Sequence, residues 1–126
     1  MTTASYTIDD GHLISANTLT GLTLFDRGGD KLGVIKEVFV NKLTGQIEFV
    51  LGATGGFLGV GEKFHPLPWG LLTYNNTPEG YVVAVGRDEI RAAPAYDRDQ
   101  LTSTNYGWGD QVHRYFSSLR RGPGQV

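Results

Sequence analysis

Between residues 22 and 85, short runs of β-prone residues alternate with clusters of turn formers, and this alternation restricts the fold more than any other feature. The runs cover residues 22–25, 32–40, 47–53, 64–67, 71–74 and 81–85. Arg27-Gly28-Gly29-Asp30, Asn41-Lys42-Leu43-Thr44-Gly45 and Asn75-Asn76-Thr77-Pro78-Glu79-Gly80 punctuate them with residues that reverse a chain. Six strands with hairpin connections predict a mainly β fold, a small six-stranded, mostly antiparallel barrel. In the second run Ile35 and Val38 have opposite parity, whereas Val38 and Val40 share one. All three face inward only if an extra residue is accommodated near Lys36-Glu37, which a β-bulge would do while bending the strand toward closure. Otherwise Ile35 or Val38 covers the outer face beneath another element.

Past the last run, residues 87–93 read as a short helix stopped by Pro94, whose ring disfavours helical geometry in the residue before it. Pro94-Ala95-Tyr96-Asp97 continues as irregular chain. Farther on, Asp110 is placed to cap a C-terminal helix with Val112, Tyr115, Phe116 and Leu119 on one face. Arg120 and Arg121 suit its negative end, and Gly122-Pro123 stops it. The expected organisation is an N-terminal arm over 1–18, a β-barrel over 19–86 and a helical extension over 87–126. At 126 residues and 40% hydrophobic content, one domain is the economical reading.

Composition removes several functions. A net charge of -2 supplies no broad positive field for phosphate backbones, so no nucleic-acid partner is expected. Phe39, Phe49, Trp69 and Tyr81 could stack on bases, but with so little positive charge beside them core packing explains them better. The absence of cysteine excludes disulfides, thiol catalysis and Cys-ligated zinc. Residues 1–10 hold no apolar signal-peptide core, and no run approaches the ~18 apolar residues of a membrane span. A cytoplasmic protein without direct membrane insertion is the expectation.

Site chemistry is equally sparse. Gly56 and Gly61 have the spacing of a phosphate-binding loop, yet Glu62 stands where lysine is needed and would repel phosphate. His12, His65 and His113 are far apart, with no spacing that anchors a metal. His65, between Phe64 and Pro66, reads as a structural histidine, with a ligand-binding role as the alternative. Ser103 or Thr104 with His113 is the only nucleophile–base pairing that chain order suggests, and no elbow motif surrounds either hydroxyl. No catalytic residue, cofactor or metal is therefore expected. Phe57, Leu58 and Val60, in the glycine-rich stretch 55–61, need cover that a partner surface or the chain's own Tyr106 and Trp108 would supply. The alternative is that this loop plugs the open end of the barrel.

Leu19-Thr20-Gly21, residues 29–33, Ile35-Lys36-Glu37-Val38, Gly45-Gln46-Ile47, Gly55-Gly56-Phe57-Leu58-Gly59, Pro66-Leu67-Pro68-Trp69 and Ala93-Pro94-Ala95-Tyr96, in this order, resemble the pattern of the PRC-barrel domains. That family is named for the cytoplasmic domain of the photosynthetic reaction-centre H subunit. The resemblance covers about residues 19–96. It implies a six-stranded barrel used as an interaction module without catalysis, whose relatives contact membrane proteins, a ribosomal protein or each other. The chain has neither the transmembrane helix of the H subunit nor the second barrel of the ribosome-maturation factor. The resulting expectation is a protein-interaction and assembly module that forms a two-fold dimer and also holds an unidentified protein partner. Phe57, Leu58, Val60, Trp69, Trp108, Tyr115 and Phe116 are its candidate contacts. The rival expectation is a carrier or sensor of a small apolar ligand, in a pocket lined by Trp69 and His65. An accessory role in a membrane complex, photosynthetic or other, rests on the resemblance alone.

Overall fold

The computed structural model describes residues 11–53, 64–102 and 107–119. A short helix, α1 (Ala16–Leu19), opens behind Ser15, whose Oγ accepts a hydrogen bond from the Asn17 N–H at 3.3 Å. The strands follow as β1 (Thr23–Phe25), β2 (Lys31–Val40), β3 (Ile47–Ala53), β4 (His65–Pro68), β5 (Leu72–Asn75) and β6 (Gly80–Val83). One turn of 3-10 helix, Trp69–Leu71, joins β4 to β5. The helices α2 (Arg87–Arg91), α3 (Arg98–Thr102) and α4 (Trp108–Leu119) complete the chain. All six expected strands and both expected helices are present, whereas α1, α3 and the 3-10 turn were not anticipated. Asp110 lies inside the first turn of α4 and does not cap it, because the helix begins at Trp108.

The strands form one sheet in the order β4-β3-β2-β1-β6-β5. Every ladder is antiparallel except β1–β6, which is parallel, so the sheet is mixed. Its curl follows from chain connectivity. Laid flat, five strand intervals of about 4.8 Å would hold the β4 and β5 edges about 24 Å apart. Pro68 and Leu72 flank a three-residue turn, and four Cα steps span at most about 15 Å. The sheet must therefore roll until its edges approach, giving a curled half-barrel with no β4–β5 ladder among the described residues.

Of the two readings of parity in the second run, the structure shows the bulge, at Lys36. Ile35 pairs with Gly52 and Glu37 with Leu51, so Lys36 is the extra residue and Ile35 and Val38 return to the same face. Val40, the last residue of β2, lies beside a second register shift and is not buried with them, being 53% exposed.

The Arg27–Asp30 turn is fixed by Asp26, whose Oδ1 accepts from the N–H groups of Gly28 and Asp30, each at 2.9 Å. The Asp30 N–H is the largest influence that lowers this carboxylate's pKa, and Arg87 of α2 adds to it.

Phe49, Val50, Leu51 and Gly52 are all buried, which strict alternation on a one-sided sheet cannot produce. Both faces of β3 are covered. Ile35, Val38, Val50 and Leu67 share the concave face by register, and Phe39, Phe49, Pro66 and Pro68 share the convex one. Against the convex face lies α4, with Trp108, Val112 and Phe116 buried in the same core cluster as the strands. Tyr115 Oη donates to the Glu89 carbonyl of α2 at 2.6 Å, and Tyr96 Oη donates to Gln111 Oε1 at 2.7 Å, which fixes the helix azimuth.

Candidate docking surface

Trp108 anchors the first turn of α4 to the sheet. It is 6% exposed, its ring meets Phe39 and Phe49 edge-on at centroid distances of 5.2 and 5.0 Å, and its Nε1 donates to the Leu101 carbonyl at 3.1 Å. Beside it the convex face is left partly open as a groove of about 420 Å³. Val38, Phe39, Val40, Phe49 and Trp108 line it with apolar surface, and Glu37 and Glu48 add carboxylates. In the β2–β3 turn that follows Val40, Leu43 is 89% exposed.

A second groove, about 240 Å³, lies between α4 and the 3-10 turn. Trp69, Leu71, Ile47 and Phe116 line it together with Glu48, His113 and Ser117. Trp69 is half-buried and its ring meets Tyr81 at 5.2 Å. The histidine beside Trp69 in this groove is thus His113 and not the expected His65. His65 is a half-buried residue of β4 whose Nδ1 has no hydrogen-bond partner among the described residues. Burial holds its imidazole below the ordinary value, and the backbone of Pro94 opposes that shift.

Of the other sequence-derived contacts, Phe116 is buried under α4, and Tyr115 is half-buried with its hydroxyl engaged. Phe57, Leu58 and Val60 lie outside the described residues, as do Tyr106, Ser103 and Thr104. Sequence reasoning did not single out Val40, Leu43 or Glu48. Leu43 carried a usable signal, since an apolar residue inside a turn cluster has no strand face on which to hide.

A third apolar area lies at the β5 edge. Leu13 is 72% and Tyr74 47% exposed there, beside Ile14, and the segment 11–14 shares a shallow groove with Tyr74, Glu79 and Tyr81. Among the described residues, no three His, Asp or Glu side chains converge to hold a metal ion, and no helix is long and apolar enough to cross a membrane. A family model described as the PRC-barrel domain matches residues 11–97. A search of curated proteins finds no match to the chain.

Proposed function

We propose that this chain, which belongs to the PRC-barrel domain family, is a non-catalytic interaction and assembly module that pairs with a second copy of itself along β5. The observation that carries this reading is the composition of that edge. Leu72–Asn75 has no charged residue, no strand paired on its outer side among the described residues, and exposed Leu13, Ile14 and Tyr74 beside it. Edge strands that stay monomeric are usually blunted by charge, proline or cover, because an open row of N–H and C=O groups templates pairing. A two-fold axis brings the same strand of each copy together, so β5 would continue antiparallel into its twin and bury both apolar flanks. The opposite edge is less available, since Phe64 and Tyr96 exchange backbone hydrogen bonds of 2.8 and 2.9 Å there.

Sedimentation velocity tests the reading. The expected result is a dimer at micromolar concentration, converted to monomer by Leu13→Ser with Thr73→Lys, with the far-UV circular dichroism unchanged. A monomeric wild type, or a dimer indifferent to that double substitution, refutes it. The groove beside Trp69 supports a second reading, carriage of a small apolar ligand. A saturable change in tryptophan fluorescence on adding an aromatic probe such as indole would favour that reading, and a flat titration would eliminate it.

A further inference from the structure

The Glu48 carboxylate is set by backbone register. Phe39 pairs with Phe49 and Val40 with Ile47, so Glu48 is an extra residue in β3 with no opposite number on β2. Such a bulge re-aims a side chain, and here it brings a carboxylate to the border of the 420 Å³ groove. Its hydrogen-bond partner is the neutral Asn41 Nδ2 at 3.3 Å, and no ion pair joins it to a cation among the described residues. Glu37, the other carboxylate of the groove, meets Arg98 only at 3.9 Å, with both side chains about half exposed. The lining between them is apolar and includes the exposed Val40. Apolar surface of this kind marks a contact site, and the carboxylates specify the charge of what covers it.

We infer that this groove takes a short segment of a partner protein in which a large apolar side chain lies next to an arginine or lysine. The apolar side chain fills the groove against Phe39 and Phe49, and the cation meets Glu48. Arginine suits the position best, because its planar guanidinium can donate to a carboxylate along its edge while lying against aromatic rings. The inference rests on the interaction-module reading but is independent of pairing through β5, which occupies the other half of the sheet.

The test is a nuclear magnetic resonance titration of the isotope-labelled full chain with two capped hexapeptides, Gly-Ser-Leu-Arg-Ser-Gly and Gly-Ser-Leu-Glu-Ser-Gly. The arginine peptide should shift the Trp108 indole N–H and the amides of Val38, Phe39, Val40 and Phe49, and the glutamate peptide should bind about tenfold more weakly. Glu48→Lys should reverse that order of preference while leaving the far-UV spectrum unchanged. Equal binding of both peptides, shifts confined to another surface, no shift at either peptide's solubility limit, or a preference that survives Glu48→Lys overturns the inference. So does movement of the same groove resonances on simple dilution, which would assign the groove to a second copy. Failure here with the β5 dimer intact removes this inference alone, and a monomer that still selects the arginine peptide removes only the pairing.

Discussion

Truncation of Trp108 separates an aromatic that builds the fold from one that serves a partner. The residue is 6% exposed, makes two edge-on ring contacts and donates one hydrogen bond within the chain. Removing a buried side chain of this size costs ~3–5 kcal/mol. Within that, each ring contact accounts for ~0.5–1.5 kcal/mol and the hydrogen bond for ~1 kcal/mol. Domains of this size are held by ~5–15 kcal/mol in total, so Trp108→Ala should leave a protein near its threshold. With a slope of ~2 kcal/mol per molar urea, the unfolding midpoint should fall by about 2 M. Trp108→Phe is the finer probe. It keeps most of the apolar volume but strands the buried Leu101 carbonyl, at a cost of ~1–3 kcal/mol. Urea titrations followed by far-UV circular dichroism measure both. A Trp108→Ala midpoint equal to wild type, with dimerisation or peptide binding lost, would refute the anchor role and return Trp108 to the contact surface.

Gly80→Ala should cost ~1–3 kcal/mol or more, because its Cβ would overlap the Thr23 carbonyl oxygen and lie 2.8 Å from Phe25 Cε2 across the parallel β1–β6 seam. An unchanged melting temperature would show that the seam is looser than described. For His65, a folded pKa below the ordinary 6.5 means that the unfolded chain binds more protons in that range. Stability from this group is therefore complete above that value and is lost as pH falls through the folded pKa. His65→Gln should flatten the fall of the urea midpoint between neutral pH and about pH 5, and a wild-type-minus-variant difference that ignores pH would refute this. A chain ended at Asp97 loses Leu101, Trp108, Val112 and Phe116 from the core, roughly 6–12 kcal/mol at ~1.5–3 kcal/mol each. It should bind anilinonaphthalene sulfonate and lose near-ultraviolet dichroism, and cooperative unfolding like that of the full chain would refute the claim.

The strands were legible because each lies between turn residues with local mechanisms, and the Asp26 and Asn41 side chains do cap backbone N–H groups as such residues should. The Lys36 bulge was legible from parity. What escaped was non-local. The parallel β1–β6 seam depends on strand order, which no short run encodes. The α3 helix was missed although Asp97 and Gln100 hold a reciprocal capping pair, at 2.8 and 2.9 Å, whose spacing is visible in the sequence. Two-sided burial of β3 had its signal too, in the unbroken apolar run from Phe49 to Leu51. For the candidate docking surface, sequence composition indicated uncovered apolar residues but not which ones. Glu48 could not be singled out, because a bulge belongs to the pairing of two strands and not to either one.

The roll of the sheet and the placement of the proposed contacts have one cause. A three-residue link between the two outermost strands brings the edges together without letting them pair, so covalent connection does the work that a closing ladder does in a full barrel. The outer backbone groups of β5 then have no ladder partner among the described residues, whereas β4 is shielded by the Tyr96 segment and by α4. The first turn of α4 sits at Trp108 against Phe39 and Phe49, and the groove where the Glu48 bulge and Val40 emerge lies beside that turn. A ladder closed between β4 and β5 would remove the pairing edge.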